Sequence, residues 1–234
     1  MVLKVGLCRK TINQRIDRIR RVFRWGAENE LVPAAVSQAL ATVRGLQAGR
    51  TAARESAPVK PAPRQHVEAV VAVLTDPVRA MVELQLLTGM RPGEVIAMRM
   101  ADLDMAGEVW VYRPVQHKTA WRGHEREILL GPKAQEVLRR VLGKGLRVGC
   151  LFRPRKRPGY TRDVYGNAVI RACERAGVPR FRPNQIRHLV ATEVRKTFGL
   201  EAAQVALGHK RADITQVYAE RDREKGVEVA RKIG

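Results

Sequence analysis

The 234-residue sequence has few cysteines, few aromatic residues and no long apolar run. Its three cysteines, Cys8, Cys150 and Cys173, lie far apart and form no CxxC pair. This spacing argues against a disulfide framework or a zinc site and favours a reducing, cytoplasmic setting. No apolar stretch is long enough to span a membrane, and neither a signal peptide nor a lipidation motif is present. The sequence therefore predicts a protein without a membrane partner.

Acidic residues are also scarce relative to basic ones. The chain has 23 Asp and Glu against 44 Lys and Arg, which gives a formal net charge of +21. Such a surplus repels itself in a compact state and usually indicates a polyanionic partner. Nucleic acid is the leading candidate. The rival, a membrane surface, is disfavoured because the sequence has no apolar span, signal peptide or lipidation motif. Aromatic residues make up only 5% of the chain and are not clustered, which argues against a platform that stacks RNA bases.

Helical periodicity divides the chain into a small N-terminal unit and a larger one. Thr11 and Gln14 match a capping box and predict the start of a first helix; a second is predicted over Ala34–Val43. From Gly45 to Arg64 the composition shifts to Gly, Ala, Arg and Pro, which is typical of a linker. We therefore expect one unit at 1–45, a linker at 46–64 and a second unit at 65–234.

The larger unit is predicted to be mainly α with a small antiparallel β-sheet, an α+β fold. A helix begins near Gln65, and a nearly all-apolar helix follows, with Asp76 as its N-cap and Pro77 as its first residue. Period-two patterns predict strands at 102–104, 108–112 and 127–130, and periodicity predicts helices at 132–142 and from Thr161 to Gly177.

The stretch from Asn184 to Tyr218 carries the first candidate functional residues. Asn184, Arg187 and His188 share one face of a predicted helix, with an apolar stripe behind them. A second short helix at 200–207 stops at a glycine in the C-cap position and leaves His209 just beyond its end. Tyr218 follows nine residues later. Arg187, His209 and Tyr218 are thus spaced to share one phosphate, although each alone suits a structural role.

Three further polar residues gain meaning only in combination. Arg91 precedes a proline and so enters a new helix from a turn, and Glu94 follows in the first turn of that helix. Alone, each is an ordinary residue at a helix start. Lys118 lies in a predicted hairpin loop, where a lysine is most often merely solvated. His117 and His124 lie in the same loop, but no third ligand is spaced to complete a metal site.

Five separated pieces of sequence agree in order and approximate spacing with one family. These pieces are Arg91 in TGMRPGEV, Lys118 in HKT, Arg187 in NQIRH, His209 in LGHK and Tyr218 in ITQVY. With them the chain resembles the tyrosine recombinase (phage integrase) family from about residue 65 to its end. The segment INQRIDRIRRVFRWGAENELV is similar to the second half of the family's helical core-binding domain. The resemblance implies a helical catalytic domain at 65–234 and an incomplete core-binding domain at 1–45.

The resemblance also implies roles for individual residues. By position, Tyr218 is the nucleophile, Lys118 the general acid, and Glu94 a supporting carboxylate. The phosphate contacts are assigned to Arg91, Arg187 and His209. Two guanidiniums suit the two nonbridging oxygens of a phosphodiester, whose charge grows as a nucleophile adds. A 3′-phosphotyrosine intermediate keeps the bond energy, so rejoining needs neither ATP nor a metal, and we expect no cofactor and no small-molecule substrate.

Asn184 stands where the family commonly has a histidine. Asparagine cannot accept a proton at useful pH, so the general-base role is open. Either His188 partly substitutes for the missing histidine, or the reaction is slower, and our hypothesis is the slower reaction. The N-terminal unit also departs from the family, since two helices are predicted where about four are usual.

Double-stranded DNA is the expected partner, in the cytoplasm at the nucleoid, and the resemblance implies four protomers bound to two DNA sites. Arg15 and Arg18 lie on the polar face of the first helix, which is either a solvated or a phosphate-contacting face. The other basic candidates for DNA contact are Arg153, Arg155, Lys156, Arg162, Arg171 and Arg175. The leading function is a site-specific recombinase of a mobile element. The alternatives are a catalytically impaired DNA-binding relative, a basic RNA-binding protein and a relaxing enzyme of the type IB topoisomerase kind.

Overall fold

The computed structural model describes residues 6–115, 126–143, 149–154 and 159–208. The chain divides into two compact units, Met1–Val59 and Lys60–Gly234. Eight α-helices and a three-stranded antiparallel sheet lie in the described ranges, which confirms the predicted α+β class. No helix in these ranges is both long and apolar enough to cross a membrane.

The first unit contains α1 (Arg9–Glu28) and α2 (Ala34–Ala41), which pack against each other. The predicted capping box at Thr11 and Gln14 is wrong, because α1 begins one turn earlier. Its N-cap is Cys8, whose carbonyl accepts the hydrogen bond from the Ile12 N–H at 3.0 Å. The Thr11 hydroxyl instead lies 3.0 Å from the Cys8 Sγ. The second helix ends at Ala41, two residues before the predicted Val43.

Residues 46–55, part of the predicted linker, fold back onto the start of α1. The Asn13 amide exchanges two hydrogen bonds with the backbone of Leu46, at 3.0 and 2.8 Å. The Arg9 N–H donates to the Arg54 carbonyl at 2.8 Å, and the Arg9 guanidinium pairs with Glu55. These contacts tie residues 46–55 to the first turns of α1. The assignment of functional domains to the two units stays a prediction.

The described part of the second unit contains six α-helices: α3 (Arg64–Val73), α4 (Val78–Thr88), α5 (Pro92–Ala97), α6 (Pro132–Leu142), α7 (Arg162–Arg175) and α8 (Pro183–Leu207). The predicted start of α4 is wrong by one residue. Pro77 is the N-cap rather than the first helical residue, since its carbonyl accepts from the Met81 N–H at 3.2 Å. The predicted cap of α7 is present: the Thr161 hydroxyl accepts from the Val164 N–H at 3.2 Å.

The core of the second unit is built around α4, which packs against α6 and α8. Four of its apolar residues are fully buried: Ala80, Met81, Val82 and Leu84. The buried Gln85 amide donates to the Met90 carbonyl at 2.9 Å and accepts from the Tyr165 hydroxyl at 2.7 Å. This buried polar link joins α7 to the turn that follows α4, one residue before Arg91.

The sheet consists of β1 (Leu103–Asp104), β2 (Trp110–Tyr112) and β3 (Ile128–Leu130), in that spatial order. Each strand is shorter than the sequence predicts. Tyr112 pairs with both Leu103 and Ile128, and its side chain is fully buried. The Tyr112 hydroxyl donates to the Glu94 carbonyl at 2.8 Å, which fixes α5 against the sheet.

The last described helix is kinked, as the two predicted helical stretches require. Gly199 has φ 88° and ψ 179°, which separates a longer first part of α8 from a shorter second part. Ile186 and Ala191 are fully buried in the first part, and Ala203 and Leu207 in the second. Gly208 follows in a left-handed conformation, with φ 61°. The described chain therefore ends one residue before His209.

Gly89 ends α4 in a left-handed conformation and packs closely against the end of α8. Its φ is 64°, and a Cβ at this position would lie 2.7 Å from Leu207 Cδ2. We expect Gly89→Ala to lower the free energy of unfolding by about 1–2 kcal/mol for the left-handed backbone, plus about 1–3 kcal/mol for the overpacking. Denaturant titration measures this loss.

Gly177 provides the matched control for that substitution. Its φ is 65°, nearly that of Gly89, but a Cβ there would meet nothing within 4 Å. Gly177→Ala should therefore lose only the backbone part, about 1–2 kcal/mol. Equal losses in the two variants would contradict the close packing of the α4 end against the α8 end.

Candidate active site

Arg91 and Glu94 form a reciprocal pair at the start of α5. The Glu94 carboxylate accepts the Arg91 N–H at 2.7 Å through Oε2 and the Arg91 guanidinium at 2.7 Å through Oε1. The Glu94 side chain is 3% exposed, whereas that of Arg91 is 31% exposed. The pair therefore anchors Arg91 at its buried side and leaves part of its guanidinium accessible. This is the arrangement that an anion-binding arginine needs.

A second guanidinium, that of Arg126, lies against the same carboxylate. Its Nε is 3.6 Å from Glu94 Oε1, and its side chain is 7% exposed. Burial alone would raise the pKa of Glu94, but Arg126 and Arg91, together with the Arg91 N–H, outweigh it and lower the pKa. Burial lowers the pKa of the Arg126 guanidinium, against the opposing effect of Glu94. Glu94 is thus an ionised carboxylate between two arginines.

Arg187 is buried between the ends of two helices. Its Nη1 donates to the Gly89 carbonyl at 2.6 Å, and its Nη2 donates to the Leu207 carbonyl at 2.8 Å. The residue is only 3% exposed. Both acceptors lie where helices end, at the negative ends of the α4 and α8 dipoles, and a cation is favourable there. The sequence predicted Arg187 on the polar face beside Asn184, but not this burial.

The turn Gly89–Arg91 brings the two predicted phosphate-binding arginines together. The Arg187 guanidinium donates to the carbonyl of Gly89, the first residue of this turn, and Arg91 is the last residue. The Cα atoms of Gly89 and Arg91 are at most about 7 Å apart. Arg162, from α7, also reaches this region, since a Cβ on Gly93 would lie 3.0 Å from its Nη2. Residues distant in sequence thus place several guanidiniums around one helix start. Such a cluster suits a phosphate group.

Asn184 and His188 lie on one face of α8, as predicted. The Asn184 Nδ2 donates to the His188 Nε2 at 3.0 Å. Burial, and then the neighbouring Arg187, lower the pKa of His188, so the imidazole is neutral at pH 7. Its Nε2 lone pair accepts from the amide and is occupied in this arrangement.

The other predicted DNA contacts are dispersed over the surface. Arg15 and Arg18 are exposed on α1, and Arg162 and Arg171 are exposed on α7. Arg153 and Arg175 are also exposed, and each donates to a backbone carbonyl. The Arg153 Nε donates to the Cys150 carbonyl at 3.1 Å, and the Arg175 Nη2 donates to the Val73 carbonyl at 3.2 Å. Their DNA-binding role stays a prediction.

Several predicted site residues lie outside the described residues: Lys118, Arg155, Lys156, His209 and Tyr218. Their roles also stay predictions. In the described ranges, no three His, Cys, Asp or Glu side chains are grouped so as to hold a metal ion. Arg126 is the residue that sequence reasoning missed. The one feature of the sequence that could have indicated Arg126 is its position, two residues before β3 and at the end of the predicted loop that contains Lys118.

The second unit is thus a mainly helical domain with a small sheet and a cluster of arginines at the start of α5. The model of the phage integrase family matches residues 64–225. The chain therefore belongs to the phage integrase family, and the resemblance to tyrosine recombinases is confirmed.

Curated relatives are tyrosine recombinases. The chain is 28% identical over 232 residues to tyrosine recombinase XerD of Ralstonia nicotianae, covering 92% of this chain and 70% of the relative. It is 28% identical over 143 residues to the XerD of Neisseria meningitidis serogroup A, covering 60% of this chain and 49% of the relative. The chain thus spans between about half and 70% of the length of these relatives.

Solved structures show the same fold at low sequence identity. The Tn1549 transposon integrase in complex with circular intermediate DNA superposes with a TM-score of 0.71 at 18% identity, covering 96% of this chain and 80% of that one. A lambda integrase dimer bound to a COC′ core site gives a TM-score of 0.68 at 18% identity, covering 92% of this chain and 61% of that one.

Proposed function

We propose that this chain is a site-specific DNA recombinase that cleaves and rejoins strands through a 3′-phosphotyrosine. The observation that carries the proposal is the arrangement of Arg91 and Arg187 around the turn Gly89–Arg91, in a chain of the phage integrase family. Arg91 on this turn and the Arg187 guanidinium that bonds to it provide the preorganised positive charge that a phosphoryl-transfer transition state needs. The net charge of +21 supports a DNA substrate.

The proposed step forms one bond and breaks one. The Tyr218 hydroxyl oxygen attacks the scissile phosphorus, and the bond from phosphorus to the 5′-oxygen breaks. Lys118 gives a proton to the departing 5′-oxygen, and a base takes the tyrosyl proton. Arg91, Arg187 and His209 hold the nonbridging oxygens. Attack by a second strand's 5′-hydroxyl reverses these events, so the sequence of steps uses no ATP and no metal ion.

We expect the protein to assemble as a tetramer on two double-stranded DNA sites. We propose that this tetramer integrates or excises a mobile element. Relatives in solved structures include a lambda integrase dimer on a core site and a transposon integrase with circular intermediate DNA. Because the substrate would be DNA, we place the protein in the cytoplasm at the nucleoid.

A second candidate function is that of a catalytically impaired DNA-binding relative. The observation that favours it is the pair formed by Asn184 and His188. Asn184 offers no proton acceptor, and its amide occupies the Nε2 of His188 at 3.0 Å. His188 is therefore not placed as a free base in this arrangement, which supports the hypothesis of a slower reaction.

Asn184→His tests that hypothesis. A histidine at this position would supply a general base, and we expect cleavage of a nicked suicide duplex to become at least about tenfold faster. Asn184→Gln is the control, because it keeps an amide and should give no gain. An unchanged cleavage rate in Asn184→His would mean that Asn184 does not limit the reaction.

Strand exchange without metal tests the proposed function. Two duplexes built from the repeats that flank the gene, with different fluorescent labels, would be mixed with the protein in EDTA. We expect recombinant strands that carry both labels, with no net hydrolysis. Site-independent relaxation of supercoiled plasmid would favour the topoisomerase-like alternative. Salt-sensitive binding without exchange would favour the impaired relative.

A further inference from the structure

The Arg126 guanidinium is buried without a full set of partners. Its Nη1 donates to the Glu127 carbonyl at 3.1 Å, and its Nε lies 3.6 Å from Glu94 Oε1. Its Nε and Nη2 are buried, and within the described part of the chain neither makes a hydrogen bond. An arginine stays charged in proteins, so this site keeps a buried positive charge that is only partly compensated.

The position of Arg126 links the Arg91–Glu94 pair to the end of α8. A Cβ on Gly208 would lie 2.8 Å from the Arg126 Cζ, so the guanidinium packs directly against the Gly208 backbone. On its other side it contacts Glu94, which holds the Arg91 guanidinium at 2.7 Å. Arg126 therefore lies between two segments that the proposed site requires, the start of α5 and the residue that precedes His209.

Stability alone is a weak reason for this arrangement. Buried ion pairs can often be replaced by apolar residues of similar volume without loss of stability. The electrostatics give a better reason. Glu94 positions Arg91 but also neutralises it. With Arg126 on the same carboxylate, two guanidiniums share one negative charge, and the cluster keeps one positive charge.

We propose that Arg126 is a positioning residue for strand cleavage: it balances the charge of Glu94, so that Arg91 acts on the scissile phosphate as a cation. This proposal rests on the proposed function. Arg126 acts through Glu94 and touches no reacting atom. The buried contact with Gly208 holds Arg126 in place beside the pair.

The test is the single-turnover cleavage rate of a nicked suicide duplex built from the flanking repeats, at saturating protein. We expect Arg126→Gln to slow cleavage by about 10- to 100-fold while DNA affinity changes by less than about twofold. Arg126→Lys, which keeps the charge, should recover most of the rate. Arg126→Met is a second neutral variant of similar volume and should be as slow as Arg126→Gln.

Arg113→Gln is the matched control. Arg113 also lies beside the sheet and also pairs with carboxylates, those of Glu127 at 2.9 Å and Asp104 at 3.3 Å, but its side chain is 52% exposed. Its variant should cleave at the wild-type rate. Thermal unfolding of every variant shows whether a slow rate reflects a loss of folded protein.

Two comparisons separate a charge effect from a structural one. In the Glu94→Gln background, Arg126→Gln should slow cleavage by less than about threefold, because the carboxylate charge that Arg126 balances is gone. A methylphosphonate at the scissile position removes the negative charge of the substrate and should reduce the loss in the same way.

Equal losses in both backgrounds and on both substrates would overturn the proposal, and so would cleavage by Arg126→Gln and Arg126→Met at the wild-type rate. Failure of the wild-type protein to form any covalent adduct would instead overturn the proposed function. The two failures are therefore distinguishable in one set of reactions.

Discussion

Tyr218→Phe is expected to abolish the covalent protein–DNA adduct while leaving DNA binding intact. The substitution removes only the hydroxyl oxygen that we propose as the nucleophile. The phenyl ring keeps the volume of the side chain, and the net charge of +21 that supports binding does not change. A gel that resolves protein-linked strands should show the adduct for the wild type and none for the variant.

Tyr160→Phe is the matched control for this prediction. Tyr160 is half-buried beside the core, and burial raises the pKa of its hydroxyl. It has no proposed part in the reaction, so the Tyr160→Phe variant should form the adduct at the wild-type rate. An adduct that persists in Tyr218→Phe would show that another residue is the nucleophile.

Arg187→Lys is expected to reduce the cleavage rate by about 100- to 1,000-fold, the typical loss when one preorganised donor to a developing anion is removed. Lysine keeps the positive charge but lacks the planar guanidinium. Its single ammonium group cannot bond to both the Gly89 and the Leu207 carbonyls and also contact the phosphate. A single-turnover assay on the nicked duplex measures the rate.

The same substitution should also lower stability. A buried carbonyl that loses its donor costs about 1–3 kcal/mol, and Arg187 serves two of them. Arg180→Lys is the control, since Arg180 is exposed and pairs with Glu174 at 2.9 Å on the surface. It should change neither the cleavage rate nor the unfolding midpoint. A wild-type cleavage rate in Arg187→Lys would contradict the role of Arg187 at the phosphate.

Local patterns predicted most of the secondary structure, because they depend on neighbouring residues. The Thr161 cap, the two helical stretches on either side of Gly199 and the small antiparallel sheet of three short strands all follow from turn chemistry and periodicity. The start of α1 did not follow. Thr11 matches a capping box, but the helix begins at Arg9, whose N–H donates to the Arg54 carbonyl and whose guanidinium pairs with the Glu55 side chain.

The site was predicted in part, for a similar reason. Arg91 and Glu94 are only three residues apart, and the sequence predicted both at the start of one helix, although it did not predict the reciprocal bonds between them. The burial of Arg187 between two helix ends depends on how α4 and α8 pack, across 98 positions of the chain. The position of Arg126 could be predicted even less, because its contacts with Glu94 and Gly208 join three segments that are far apart in sequence. A basic residue in a chain with 44 Lys and Arg carries little signal by itself.

The central claim is that Tyr218 forms a phosphotyrosine bond to the 3′ end of the cleaved strand. Trapping the protein on a nicked suicide duplex, digesting the adduct with protease and identifying the modified peptide by mass spectrometry tests it most directly. We predict a nucleotide on the peptide that contains Tyr218, linked through a 3′-phosphate, in reactions that contain EDTA. Attachment to another residue, a 5′ linkage, or cleaved DNA without any attached peptide would contradict the claim.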